Sequence, residues 1–181
     1  GYRMHPAIMP IPSLESVFPR SRSFVSSEQW RQITGRIPRK APEHVPDAIR
    51  TLASTLPAFL PDLATLELSR HRIQHTDASF PAAVESSTIN PSLEIHHLDW
   101  RCCGIVDDKG ADAVQPDRGE EWALVWKPAK GQRVMTASAG AGDLLALKLL
   151  SADMSLAQAT HESGKTASAL GQLLLRVARS G

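Results

Sequence analysis

The residues best suited to chemistry are histidines and cysteines that fall into close pairs. The pairs are His71 with His75, His96 with His97, and Cys102 with Cys103. The first pair is spaced four residues apart on a predicted helix, which places both imidazoles on one face. Imidazole and thiolate bind zinc and iron, but these pairs match no recognised ligand spacing. We therefore expect surface or interfacial imidazoles, with one of His96 and His97 pointing outward, and two small core cysteines, without a bound metal or other cofactor.

Motifs that identify an enzyme directly are missing from the sequence. It contains no Walker loop, dinucleotide-binding glycine fingerprint, nucleophile elbow or paired-histidine zinc helix. The glycine-rich run at 139–142 lacks the Lys-Ser or Lys-Thr ending of a phosphate-binding loop, so we interpret it as a flexible turn. Trp100, Trp122 and Trp126 stand among apolar neighbours, which favours core packing over base stacking. We expect no catalytic residue in this chain.

The composition limits the class of protein. The chain has 181 residues, 42% of them hydrophobic, and a formal net charge of +1, which attracts nucleic acid poorly. No apolar run reaches the roughly 18 residues of a membrane span, and the start shows no signal-peptide pattern. The adjacent cysteines form no disulfide framework, so we expect a soluble protein of the reducing cytoplasm. Because Gly1 stands in place of an initiator methionine, we expect an excised fragment or a cleaved tag.

Residues 1–45 are predicted to form a proline-rich arm with one short helix. Prolines recur through the first 25 residues, which excludes a long helix or a central strand there. The apolar residues between them predict an extended arm that lies against its own core or a partner chain. A helix follows behind a capping box of Ser26 and Gln29 and ends at Gly35. The basic residues of this region predict a solvated or partner-facing surface rather than a phosphate-contacting arm.

Residues 46–90 are predicted to form a helical hairpin followed by a loop. Asp47 starts the first helix, and Pro57 and Pro61 separate it from the second. The second helix places four residues on one face, namely Leu63, Leu66, Arg70 and Ile73.

Residues 91–181 are predicted to form a module of strands followed by helices. Residues 101–106 are expected to continue the first strand or pair with it, and 107–120 to form a polar loop. The predicted strands are 92–99, 122–127 and 132–137, the last two forming a hairpin, and the predicted helices are 142–150, 155–162 and 165–178. The expected fold class is therefore α+β: an arm and a helical hairpin, then a small antiparallel sheet and three helices in a winged-helix-like order.

Three short stretches resemble a known bacterial family. They are LPDLATLELSRH at 60–71, NPSL at 90–93 with LDW at 98–100, and ALVWK at 123–127. The family carries the label of a DNA-binding domain, and the resemblance covers about residues 47–180. Its members are similar to partner proteins of multinuclear non-haem iron enzymes that modify cysteines in ribosomally made peptides, a group that includes the methanobactin-cassette enzyme. The resemblance implies a peptide-recognition element that holds a leader peptide as an added strand.

The exposed edge of a small sheet is a template for such an added strand, so we predict a peptide site there. The precursor peptide is expected along 132–137 and in the groove between that strand and the helix at 165–178. If Val134 faces the core, alternation places Arg133 and Met135 on the other face. The alternative is that the proline-rich arm covers this edge. The expected peptide-binding residues are Arg133, Met135, Thr136, Leu170, Leu173 and Val177.

These inferences together predict a non-catalytic partner subunit. It is expected to bind a multinuclear non-haem iron enzyme in a hetero-oligomer and to present the precursor peptide, away from membranes. The first alternative is a winged-helix transcriptional regulator, whose recognition helix would be one of the last two predicted helices. The second alternative is a metal-dependent enzyme built on the histidine and cysteine pairs.

Overall fold

The computed structural model describes residues 12–76, 89–107, 114–129 and 131–151. Within these ranges the helices are α1 (Leu14–Val17), α2 (Pro19–Ser23), α3 (Ser27–Thr34), α4 (Val45–Thr51), α5 (Leu60–His75), α6 (Cys103–Val106) and α7 (Ala141–Ser151). The strands are β1 (Glu94–Trp100), β2 (Arg118–Trp126) and β3 (Met135–Ala139), and short 3₁₀ helices span Pro38–Lys40 and Pro42–His44. The mixture of helix and strand and the small antiparallel sheet predicted from the sequence are confirmed. None of the helices in these ranges is both long and apolar enough to cross a membrane.

Two short helices, α1 and α2, lie between residues 14 and 23, which corrects the expectation of an extended arm for the described part of the N-terminal segment. The Ser13 side chain accepts a hydrogen bond from the Ser16 amide and begins α1, and Pro19 occupies the first turn of α2. Proline is well suited to that position because its fixed φ fits the helix and its missing N–H has no partner there anyway. Both helices pack against α5, with Phe18 fully buried between them. The described part of the arm therefore lies against the protein's own core.

The predicted capping box and helical hairpin are confirmed. The Ser26 hydroxyl accepts from the Gln29 amide, the Gln29 side chain accepts from the Ser26 amide, and α3 ends at Gly35. Helix α4 ends at Thr51, before the point at which the apolar pattern of the sequence predicts its end. Turns then connect α4 to α5. Helix α5 is the central element, since α1, α2, α4, α6, β1 and β2 all pack against it.

The sheet has the order β1-β2-β3, and both pairs of neighbours are antiparallel. The predicted hairpin is confirmed, but its second strand begins at Met135 instead of 132. The reason is that the Val134 amide donates to the Gln74 side chain of α5 at 3.3 Å. Lys127, at the end of β2, is buried and donates to the backbone carbonyls of Gln74 and Thr76. These bonds fix the hairpin at the C-terminal end of α5.

Residues 101–106 neither extend β1 nor pair with it, which corrects that expectation. The Asp62 carboxylate of α5 accepts from the amides of Asp99 and Trp100, at 2.9 and 3.2 Å, at the end of β1. The chain then turns into α6, where the Cys103 amide donates to the Glu121 carboxylate of β2 at 2.9 Å. Contacts from other elements thus set the end of this strand.

The two faces of the sheet are covered by different helices. Leu98, Ala123 and Val125 face α5 in the main core. Leu124 and Trp126 lie on the opposite face and pack with Leu147 of α7. Helix α7 agrees with the helix predicted at 142–150, whereas the helices predicted at 155–162 and 165–178 lie outside the described residues.

Candidate functional site

Strand β3 forms one edge of the sheet in the described part of the chain, where its pairing partner is β2. Met135 begins the strand opposite Trp126, so alternation places its side chain on the α7 face. Met135 is 40% exposed, as a residue that receives a ligand would be. Thr136 points to the other face, where its hydroxyl accepts a hydrogen bond from the Arg70 guanidinium. The two predicted contact residues of β3 therefore serve opposite faces of the sheet.

Arg133 does not share a face with Met135, which corrects the expected alternation. Because β3 begins only at Met135, strand periodicity does not extend back to 133 and 134. Val134 is buried as expected, at 7% exposure, while Arg133 is exposed and both side chains line one groove beside α5. The other three predicted peptide-binding residues, Leu170, Leu173 and Val177, lie outside the described residues, as does the groove they were expected to line.

The groove beside Arg133 runs between α1 and α2, α5, α6 and the approach to β3, and its volume is about 530 Å³. We call it the basic groove. Its cationic and imidazole side chains are Arg20, Arg70, His71, His75 and Arg133. Its apolar lining includes Val17, Pro19, Val106 and Val134. The described part of the proline-rich arm thus forms one wall of this groove instead of pairing with the β3 edge.

Glu67 is the acidic residue of α5 that lines the basic groove, and its carboxylate is fully engaged. One oxygen accepts from the Ser21 amide and hydroxyl, both at 2.7 Å, and the other accepts from the Arg20 amide at 2.9 Å. These bonds complete the first turn of α2, because amides at a helix start have no partner inside the helix. Burial raises the pKa of Glu67, while the hydrogen bonds from Ser21 and Arg20 oppose that shift. Glu67 therefore fastens the N-terminal segment to α5.

The Glu67→Gln variant is expected to change how stability depends on pH. Because the pKa of Glu67 is raised above the ordinary 4.5, the folded state keeps this proton at pH values at which the unfolded state has lost it. The free energy of unfolding therefore falls as pH rises from 4.5 through the folded-state pKa, and Glu67→Gln removes that decrease. Urea unfolding at several pH values measures both slopes. Glu28→Gln, at an exposed carboxylate, is the control, and equal slopes in wild type and Glu67→Gln would contradict the assignment.

Ser69, His96 and Glu94 lie close together, as the residues of a hydrolase triad do, but their geometry differs. His96 Nε2 lies 3.0 Å from Ser69 Oγ and 3.4 Å from Glu94 Oε1, so one nitrogen faces both partners. In a triad the acid orients the imidazole through the opposite nitrogen. Ser69 is also completely buried, and Glu94 forms a two-point ion pair with Arg72. This cluster ties β1 to α5 and does not present a nucleophile.

The other histidines take the positions that the sequence predicts. His97 is exposed, stacks on Trp122 with ring centroids 4.3 Å apart, and approaches Glu120 at 2.7 Å. His71 and His75 lie on an outer face of α5, where the Nδ1 of His75 donates to the His71 carbonyl at 2.8 Å. Burial, followed by the neighbouring His75, lowers the pKa of His71. His71 thus lines the basic groove mainly as a neutral imidazole at neutral pH.

Both cysteines are buried, as predicted, and their thiols resist ionisation. Burial raises the pKa of Cys102 to about 12 and also raises that of Cys103, which is further raised by a hydrogen bond with Glu121. Thiolate is the form that binds metal or attacks an electrophile, so neither side chain is prepared for those roles. Over the ranges that the structure describes, no three residues among histidines, cysteines and acids are placed to hold a metal ion.

One residue of the basic groove, Arg70, carries an indirect signal in the sequence. Arg70 falls on the predicted core face of α5, together with Leu63 and Leu66. A charged residue on an apolar face needs a partner, and Arg70 finds Asp107 at 2.6 Å. Arg20 and Glu67 carried no such signal, since their contact joins segments far apart in the chain.

No protein-family model matches this chain, and no curated protein is significantly similar to it. The resemblance seen in the three sequence stretches therefore stays a prediction.

Proposed function

We propose that this chain is a non-catalytic partner subunit that holds a peptide along β3 and presents it to an enzyme. The observation that carries the proposal is the position of β3. In the described part of the chain it is an edge strand, Met135 is exposed on it, and an open groove begins at the two residues before it. Backbone groups on a strand edge supply the bonds for an added strand, and a neighbouring groove supplies side-chain selectivity.

The chemistry of the described residues supports a role without turnover. The cysteine thiols are buried with raised pKa values, and Ser69, which contacts His96, is completely buried. Groups that act as nucleophiles in enzymes are instead activated and accessible. A protein whose polar clusters join its own elements is better suited to binding than to catalysis.

The resemblance to partner proteins of iron enzymes supplies the proposed partner. It suggests a multinuclear non-haem iron enzyme, a ribosomally made precursor peptide and a hetero-oligomer of the two proteins. In this proposal the helices predicted at 155–162 and 165–178 complete a winged-helix-like arrangement beside the sheet, with Leu170, Leu173 and Val177 against the bound peptide.

Capture of the tagged chain from its native organism tests this proposal. We expect an associated enzyme with more than one iron atom per complex, together with a short precursor peptide identified by mass spectrometry. The chain purified by itself is expected to contain no stoichiometric metal and to turn over no peptide. Recovery of DNA in place of an iron enzyme would favour the regulator, and a full equivalent of iron or zinc on the isolated chain would favour a metalloenzyme.

A further inference from the structure

The charges of the basic groove do not balance. Glu67 is engaged by the start of α2, and Asp107 is paired with Arg70. The side chains of Arg20 and Arg133 enter no ion pair or hydrogen bond among the described residues, although the Glu67 carboxylate attracts Arg20 electrostatically. Among the described residues, the carboxylates of Glu67 and Asp107 thus offset two of the three arginines of the groove, which leaves an excess of positive charge.

An arginine fork is matched by the two oxygens of a carboxylate or of a phosphate. Two features of the groove favour the carboxylate. First, its walls include Val17, Val106 and Val134, which suit the carbon chain of an acidic side chain and its apolar neighbours. Second, the overall charge of +1 provides little of the phosphate attraction on which nucleic-acid binding depends.

The position of the groove connects it to the proposed peptide site. Arg133 and Val134 line it, and the next residue, Met135, begins β3. Thr136 of β3 and the groove also share Arg70, whose guanidinium donates to the Thr136 hydroxyl. A strand added along β3 would therefore enter or leave beside the basic groove.

We propose that the basic groove binds the carboxylates of acidic residues in the peptide, next to the segment held by β3. This inference rests on the proposed function and specifies its ligand as an acidic peptide. Its volume, about 530 Å³, accommodates a ligand of a few side chains. Arg133 and Arg20 bind the carboxylates, and Arg70 remains a positioning residue that joins α5, Asp107 and β3.

Fluorescence anisotropy with defined probes tests the inference. The first probe is a labelled peptide in which Glu alternates with Val, the second replaces each Glu with Gln, and the third is a labelled single-stranded oligothymidine. We expect the Glu peptide to bind about tenfold more tightly than the Gln peptide at about 150 mM salt. Arg20→Gln and Arg133→Gln should each remove most of that preference, whereas Arg36→Gln, at an exposed arginine outside the groove, should retain it.

Three results would overturn the inference: equal binding or no binding of the two peptides, equal losses in Arg36→Gln and Arg133→Gln, or tighter binding of the oligothymidine. The last result would assign the groove to phosphate. Proline substitutions in β3 separate this inference from the proposed function. If they abolish peptide binding while Arg20→Gln and Arg133→Gln have no effect, the groove is not the site but the strand-addition function stands. If only the arginine variants lose binding, the groove is correct and strand addition is not.

Discussion

Replacing Phe18 with alanine is expected to lower the free energy of unfolding by about 3–5 kcal/mol, the usual effect of truncating a buried phenylalanine. Phe18 is completely buried, and it joins α1 to α2 over the core around α5. The sequence alone predicts an extended arm that lies either against its own core or against a partner chain, and truncating Phe18 would change the stability of the isolated chain little in the second case. The size of the loss therefore measures whether residues 12–25 belong to the folded core.

Urea unfolding monitored by circular dichroism measures this loss. Ile95→Ala is the control, because Ile95 is 44% exposed on β1 and its truncation should cost less than about 1 kcal/mol. The dependence of the unfolding free energy on urea should stay unchanged in both variants, which shows that the same surface is exposed on unfolding. If Phe18→Ala and Ile95→Ala destabilise the protein equally, the N-terminal segment is not part of the core.

The elements that the sequence predicts correctly are those that neighbouring residues determine. The capping box of Ser26 and Gln29 closes within one helical turn, so its hydrogen bonds can be inferred from spacing alone. The periodic apolar residues of α5 and the turn formers before β3 are local signals of the same kind. Such local signals predict the presence of a helix or strand more reliably than they predict the residue at which it ends.

Predictions from the sequence are wrong for those elements whose ends are determined by contacts with distant residues. Glu67 of α5 completes the start of α2, and Glu121 of β2 accepts the first amide of α6. The Gln74 side chain of α5 accepts a hydrogen bond from the Val134 amide. Strand β3 therefore starts later than predicted, and Arg133 lines the basic groove. Each of these partners lies far away in the sequence, and no local pattern indicates it.

The candidate site also has one part that the sequence predicts and one part that depends on contacts between distant segments. The exposure of Met135 follows from the predicted hairpin, whereas Val134 is buried beside α5 at a position before β3 begins. The basic groove instead brings together Arg20, Arg70 and Arg133 from three separate segments. Their types could be read from the sequence, but their convergence depends on how α2, α5 and the approach to β3 pack.

The β3 edge leads to the prediction with the largest effect on binding. Successive N–H groups of a strand point to opposite edges, so the amides of Met135 and Thr136 point in opposite directions, one toward β2 and one away from it. Proline removes the N–H at either position. One of the substitutions Met135→Pro and Thr136→Pro therefore removes a donor from the β3–β2 ladder, and the other removes a donor from the outer edge.

We expect the variant that lacks the outer donor to remain folded by circular dichroism and to bind peptide about a hundredfold more weakly, or not at all, because an added strand depends on main-chain hydrogen bonds. The probe is a peptide selected on the wild-type chain from a random library, with anisotropy as the measurement. Met135→Ala is the matched control, since it shortens the same side chain but keeps the amide, and its loss of affinity separates the side-chain contribution from the backbone contribution. If the folded variant that lacks the outer donor binds the peptide as tightly as wild type, β3 is not the strand to which the peptide is added.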